Sequence, residues 1–411
     1  MSTPQDSVDG ARADEPSRKP RRRRWLRVLL SLLLGVVVLV LAFFGAAHLL
    51  TSDFAWARAV AWQESDVEDQ FRFPARIVRA GEKVSPLPKG PEPAVLAAPV
   101  NVDLVGRPLD SLLEGSGTRA FLVVRHDRLV YERYFDGAGR EDRQTSFSAA
   151  KSFLSTLVGI AIEDGYIGHV TDPVTKYVPE LSDRDPRFAR ITIRDLLTMS
   201  SGIEYTEAGL PWSDDALTYY GTDLRDLALT HTHVAEPPGR TWRYDNYNPL
   251  LLGLVLERAT KVPVAVYMSK RLWQPLGPEA DATWSLDSSQ SGFEKMESGF
   301  NARPVDYARF GLMMLHEGRW NGRQIVSASW VKEATAASRT TDPADFYQYM
   351  WWVGAPTVGG RPPFFAVGRY GQIVGVFPDQ DMVVVRLGTT SAGIDWQALL
   401  RDVVDRVAAV D

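Results

Sequence analysis

The spacing of apolar residues divides the chain. Val28 to Ala47 runs without a charged side chain, and residues 28–50, at about 1.5 Å each in a helix, cover roughly 34 Å, enough for a bilayer core. Residues 119–135 (RAFLVVRHDRLVYERYF) alternate and predict a β-hairpin. The period then changes. Phe153, Leu154, Leu157, Val158 and Ala161 share one helical face over 148–163, with Gly165 as the stop. A second apolar helix, Leu250 to Leu256, follows the turn Pro237-Pro238-Gly239. QIVGVF (372–377) and MVVVRLG (382–388) flank the turn Pro378–Asp381 and predict another hairpin. Trp396, Leu399, Leu400, Val403, Val404 and Val407 form one stripe of a final helix over 395–409. A sheet therefore opens at 119–135, a mainly helical half spans 148–335, and the sheet resumes over 346–388. No period of 20–50 residues recurs, which excludes a repeat fold.

Charge adds a direction. Arg18, Lys19, Arg21, Arg22, Arg23, Arg24 and Arg27 precede the apolar run, so positive-inside logic leaves the N-terminus in the cytosol and everything after residue 50 outside. The run is long for a signal-peptide core and its leader is long, which favours an uncleaved anchor; Ala46-Ala47 leaves cleavage open. Residues 1–27 carry net +4, leaving −9 for the remainder of a chain whose net charge is −5. The expected organisation is a cytosolic basic tail (1–27), a single-pass anchor (28–50), an extracytoplasmic connecting segment (51–100) and a main domain (101–411). Residues 51–80 hold Trp56, Trp62, Phe71 and Phe73, too many aromatics for a free tether, and are expected to pack on the main domain. PLPKGPEPAVLAAP (86–99) is a Pro-rich connector. The mildly acidic outer part gives no reason to expect nucleic acid as a partner. The absence of cysteine excludes disulfides, thiolate metal sites and a cysteine nucleophile.

Ser148-Ala149-Ala150-Lys151 places a hydroxyl and an amine three residues apart at a helix start, on one face. Serine is a weak nucleophile and needs a neighbouring base. A lysine fills that role where burial or nearby charge lowers its pKa from about 10.4. A second copy of the spacing, Ser329-Trp330-Val331-Lys332, reads as an ordinary surface helix with Ser327 or Ser329 near its start, because nothing downstream completes a site. Ser148 is followed by two further elements. Tyr244-Asp245-Asn246 precedes the apolar helix; a phenol beside a lysine can relay a proton, and an amide can hold a polar substrate atom. The bland reading is a turn tyrosine with an asparagine cap. Arg369-Tyr370-Gly371-Gln372 opens the late hairpin. Gly371 would let a substrate approach the backbone, and Arg369 could face a substrate carboxylate or point to solvent.

Rival chemistries lack their residues. There is no Gly-x-Ser-x-Gly elbow, no His-Glu-x-x-His and no phosphate-binding glycine loop. The six histidines are scattered, Asp379-Gln380-Asp381 reads as a hairpin turn, and Asp214-Asp215 as helix caps, so no metal site is expected.

Together the three elements resemble the serine hydrolase family of class C β-lactamases, DD-peptidases and related esterases and amidases, which uses Ser-x-x-Lys, Tyr-x-Asn and Lys/His-x-Gly. The resemblance covers roughly residues 100–411. It extends to ITIRDLLTMSSGI (191–203), FNARPVDYARFGLMML (300–315) and the aromatic strand FYQYMWWV (346–353). Within the family the chain is most similar to the 6-aminohexanoate-dimer hydrolase and esterase branch, and AVGRYGQ (366–372) departs from it at Arg369, where histidine or lysine is usual. The resemblance implies an α/β (α+β) fold of the β-lactamase/transpeptidase-like type, a five-stranded antiparallel sheet flanked by helices with a helical subdomain. It implies Ser148 as nucleophile, Lys151 as base, and Tyr244 bonded to both and relaying the proton to the leaving group. The backbone N–H groups of Ser148 and Gln372 would form the oxyanion hole, with Asn246, Arg369 and Gly371 at the substrate. No cofactor is expected. The expectation is a serine hydrolase of a bacterial cytoplasmic membrane acting on an ester or linear amide, a small-molecule or short peptide-like substrate. Two alternatives stay open: a D-Ala peptidase or β-lactam-binding protein of the cell wall, and a catalytically silent peptidoglycan-binding relative. Oligomeric state is left open. GLPWSDDALTYYG (209–221) is expected to line the cleft.

Overall fold

The computed structural model describes residues 21–51, 55–102, 105–336, 343–355 and 360–410; the expected basic tail lies outside them up to residue 20. The chain forms two units, Met1–Ser52 and Asp53–Asp411. The first contains helix α1 (Arg21–Thr51), within which Arg24–Gly45 is long and apolar enough to cross a membrane. A signal sequence near an N-terminus has the same features.

In the second unit the helices used below are α2 (Ala55–Trp62), α3 (Ala150–Glu163), α4 (Asp214–Tyr220), α5 (Tyr247–Thr260), α6 (Pro304–Leu315), α7 (Ala328–Ala334) and α8 (Trp396–Ala408). The strands are β1 (Ala75–Val78), β2 (Thr118–Arg125), β3 (Arg128–Tyr134), β4 (Gln144–Thr145), β5 (Ala282–Ser285), β6 (Phe300–Ala302), β7 (Tyr347–Gln348), β8 (Trp351–Val353), β9 (Phe364–Gly368), β10 (Gln372–Phe377) and β11 (Met382–Gly388).

The main sheet has the order β7-β8-β9-β10-β11-β2-β3, with every pair antiparallel. The turn between β2 and β3 uses His126 and Asp127, both at positive φ (48° and 57°), the two-residue turn whose twist matches a hairpin. Helices cover both faces, so successive side chains are buried alternately on opposite sides. Phe121, Val123, Ile373, Met382 and Val384 meet Leu399, Leu400, Val403 and Val404 of α8. Leu122, Val124, Val374, Val383 and Val385 face the other way, toward Phe153, Leu157 and Phe310 of α3 and α6. A strand buried on both faces reads as a continuous apolar run, and MVVVRLG is one.

Five long strands match the expected sheet, and β7 and β8 extend it to seven. They come from FYQYMWWV, which is a tight hairpin and not one strand. Tyr349 and Met350 take φ of 38° and 64°, reversing the chain, and Ser152 on α3 donates to the Met350 carbonyl at 2.7 Å. A smaller sheet, β1-β5-β6-β4, joins the connecting segment to the helical half through β1. The segment from residue 55 onward is thus folded into the same unit as the main domain.

The start of α5 positions two residues of interest. Asp245 accepts from the Tyr247 and Asn248 N–H groups at 2.6 and 3.3 Å, capping the helix that Tyr244 and Asn246 precede. Burial raises the Asp245 carboxyl from 3.8 to about 7 against those two hydrogen bonds. An acid raised on folding contributes stability that is fully present below its unfolded pKa and lost as pH rises through the folded value. Asp245→Asn, which keeps the capping oxygen, should therefore melt with the parent near pH 4. It should exceed it progressively up to about pH 7 and hold that margin above, on the order of a few kcal/mol. Thermal melts of both proteins from pH 4 to 8 check this; a constant difference across the range would contradict it.

Candidate active site

The site is assembled where the end of the sheet meets the first turn of α3. β4 delivers the chain to a single tight turn, Phe147–Ala149, ahead of α3. Phe147 sits at φ 43°, an outlier for a bulky residue, and leaves Ser148 half-buried at the bend. Lys151 follows one turn later and is buried. Its Nζ lies 3.0 Å from Ser148 Oγ and 2.8 Å from the Glu297 carbonyl oxygen. The serine–lysine pair expected from the spacing is formed. Ser329, by contrast, sits in α7, where Ser327 caps the helix and accepts from Trp330 N–H at 3.3 Å.

Tyr244 presents its ring to the amine, with Lys151 Nζ 4.9 Å from the ring centroid. No hydrogen bond joins its hydroxyl to Ser148 or Lys151 among the described residues, which differs from the expected bonds to both. The reason is packing. The ring is stacked on Trp352 at 6.1 Å and meets Tyr347 edge-on at 6.2 Å, so the aromatic hairpin β7–β8 sets its tilt. Asn246 stands at the helix entry but does not cap it; Asp245 does. Its Nδ2 donates to Tyr205 Oη at 2.9 Å and Thr218 Oγ1 at 3.3 Å, and its buried Oδ1 has no partner among the described residues. That oxygen can accept from a substrate N–H.

The third element departs from expectation at three positions. Gln372 opens β10, but its N–H donates to the Arg369 carbonyl, closing the turn 369–371; the expected free donor at Gln372 is engaged. Its side chain is spanned across to β11, accepting from Gly388 N–H at 2.9 Å. Gly371, at φ 76°, is required by packing, because a Cβ there would lie 2.6 Å from Trp396. The glycine that permits close approach near the nucleophile is Gly368, where a Cβ would come within 2.1 Å of the Ser146 carbonyl oxygen and 3.1 Å of Ser148 N. Arg369 lines the cleft but is paired with Glu64 of the connecting segment. Partial burial opposes its charge, and Tyr370 and Glu64 outweigh that, so its pKa is held above the ordinary value.

A cleft of about 670 Å³ brings Ser148, Tyr244, Asn246 and Arg369 together. Leu210, Pro211, Asp215 and Ala216 form one wall, as expected for the 209–221 stretch, and Ala59, Gln63, Glu64 and Ser65 another. Several contributors were not readable as site residues. Glu297 holds Lys151 through its carbonyl, while its carboxylate is buried against Lys295 at 2.8 Å. The Lys295 amine is enclosed by the rings of Phe73 and Tyr219 at 4.7 and 4.6 Å. Arg386, buried in β11, donates to the Tyr370 carbonyl and to Thr390 O at 2.8 Å, fixing the 369–371 turn from behind. Its charge within MVVVRLG is the one sequence signal for that role. No group of three or more metal-ligating side chains occurs among the described residues.

Comparison with known proteins identifies the family and the fold. The sequence profile of the Beta-lactamase family matches residues 111–408. The 6-aminohexanoate-dimer hydrolase of Paenarthrobacter ureafaciens is 30% identical over 322 residues, 72% of this chain and 80% of that protein. Esterase EstB of Burkholderia gladioli is 30% identical over 175 residues, 38% of this chain and 44% of that protein. The solved structure of a candidate 6-aminohexanoate-dimer hydrolase from Bacillus anthracis superimposes with a TM-score of 0.73 at 23% identity, covering 82% of this chain and 92% of that one, and shares the fold. With a serine–lysine pair whose serine lines the cleft and a family match spanning the whole main sheet, the chain belongs to the Beta-lactamase family and is a serine hydrolase of that kind.

Proposed function

We propose that this protein is a membrane-anchored hydrolase of esters or linear amides that works through an acyl-serine intermediate. The observation that carries this reading is the 3.0 Å contact between Lys151 Nζ and Ser148 Oγ inside a cleft that also holds Tyr244 and Asn246. Lys151 in its neutral form takes the hydroxyl proton as Oγ attacks the carbonyl carbon. The resulting oxyanion is met by the Ser148 N–H, in a first turn where such donors lack helical partners. The Gln372 N–H joins it by exchanging the Arg369 carbonyl for the oxyanion. Tyr244 carries the proton to the leaving oxygen or nitrogen. Its hydroxyl comes into line as substrate binds, since catalytic hydrogen bonds tighten in the bound complex. Asn246 Oδ1 accepts from an acyl-side N–H. Water then attacks the acyl-serine, Lys151 again taking the proton and returning it to Ser148 Oγ as the acyl C–Oγ bond breaks and the acid leaves. The names of the two relatives, a 6-aminohexanoate-dimer hydrolase and an esterase, support this substrate class.

Ser148→Ala should lower ester turnover by on the order of 10⁴ or more and abolish labelling by a fluorophosphonate probe, while Ser329→Ala retains both. Tyr244→Phe should reduce kcat by on the order of a hundredfold or more with an unchanged melting temperature. Equal losses at Ser148 and Ser329 would mean that the wrong serine had been assigned.

The soluble part, residues 51–411, should cleave a p-nitrophenyl ester or a linear amide at rates well above those for a D-Ala-D-Ala peptide or nitrocefin. Steady-state kinetics on one substrate of each class decide it, and efficient nitrocefin hydrolysis would overturn the substrate assignment.

The apolar stretch of α1 and its basic flank support a single pass with the hydrolase domain outside. Protease added to intact cells should digest that domain. Complete protection until the membrane is opened would reverse the topology.

A further inference from the structure

We propose that Glu64 is a specificity-determining residue, a carboxylate of the protein's own that occupies Arg369 and turns the cleft away from acyl groups bearing a carboxylate. The inference rests on the cleft around Ser148 being the substrate site, and it deepens that reading by naming the charge of the preferred acyl group.

Arg369 stands at the sequence position where a cation would be offered to an incoming acid. The structure gives it a partner 305 residues earlier in the chain: its guanidinium bonds the Glu64 carboxylate, and both residues line the cleft. The pair is open to solvent, with side chains 52% and 80% exposed. An ion pair so exposed contributes little to stability, so the fold does not depend on it. Yet the backbone around Glu64 is held in place. Tyr220 Oη donates to the Gln63 carbonyl at 2.5 Å from one wall, and Tyr370 Oη donates to the Ser65 carbonyl at 2.5 Å from the other. Residue 64 is bracketed by two tyrosine hydroxyls on elements that both belong to the cleft. Gln63, at φ 61°, breaks the chain out of α2 so that the bracket can form. Upstream, Arg58 anchors α2 by donating to the Asp287 carbonyl at 2.7 Å. Downstream, Asp69 accepts from Tyr219 Oη at 2.9 Å.

A substrate carboxylate reaching Arg369 must therefore displace a carboxylate that is already positioned and bound to the protein. A neutral acyl group meets no such competition. Because the internal pair is exposed and weak, discrimination is graded: about two- to fivefold against the carboxylated substrate, the range that a surface ion pair supports.

The test uses the full chain and two p-nitrophenyl esters of equal length, the neutral valerate and the mono-glutarate. In Glu64→Gln the ratio of kcat/KM for the glutarate over the valerate should rise about two- to fivefold. Adding Arg369→Gln should return it to the parent ratio. An unchanged ratio in Glu64→Gln, or a gain that survives Arg369→Gln, overturns the proposal. A readout without turnover separates it from the reading of the serine. In a Ser148→Ala background, calorimetric binding of glutarate monoamide should tighten about two- to fivefold on Glu64→Gln. Tighter binding in a protein whose parent hydrolyses neither ester would leave Glu64 supported and the proposed chemistry refuted. Unchanged binding in a protein whose parent hydrolyses both esters would do the reverse.

Discussion

The close passage of strand β9 over the turn that carries Ser148 governs the rest of the arrangement. At Gly368 the sheet comes so near the Ser146 carbonyl that no side chain fits between them. This contact fixes the distance between the sheet and the helical half, hence the width of the cleft at its floor. Ser148 and Lys151 enter from the helical side, and Arg369 and Gln372 from the sheet side, one and four residues beyond Gly368. A larger residue at 368 would have to push the turn or the strand aside, and every distance across the cleft would change with it.

How legible each part was depends on how local its cause is. The Ser148–Lys151 pair could be read because helical geometry alone brings positions i and i+3 together. Tyr244 and Asn246 could be placed because a turn and an apolar helix bracket them. The β2–β3 and β10–β11 hairpins followed from the spacing of apolar residues around their turns. Contacts set by tertiary packing were not readable. Lys151 meets the Glu297 carbonyl across 146 residues of sequence, and Arg369 meets Glu64 across 305. Arg369 therefore read as a free cation. Gly371 read as a substrate approach because its neighbours Trp396 and Arg386 come from elsewhere in the chain. The split of FYQYMWWV into two strands was hidden for a different reason. Tyr349 and Met350 adopt positive φ without the glycine or asparagine that normally announces such a turn.

Charge near the nucleophile is handled by enclosure. Lys295 and Glu297 form a buried pair behind Lys151, with two aromatic rings against the amine. A buried ion pair of this kind adds little net stability compared with apolar packing, but removal of either partner alone leaves an uncompensated charge. Its plain structural effect is to hold the Glu297 backbone, and so the acceptor on which Lys151 rests. The aromatic hairpin does the same for Tyr244 by stacking. Both supports act on the backbone or ring of a site residue.

The order of strands in the main sheet has a consequence for how the protein is made. β2 and β3 are synthesised early, yet the neighbour that completes them is β11, which pairs Val383 with Val124 and Leu387 with Ala120 near the other end of the chain. Until the ribosome has passed residue 388, that hairpin is an unpaired edge with apolar side chains on both faces, the kind of surface that recruits other chains. The helical half can collect its own core in the meantime, since Leu196, Leu250 and Leu254 are all present by then. Closure of the sheet is thus a late, long-range event. High contact order of this sort slows folding and lengthens the time during which that apolar edge stays uncovered.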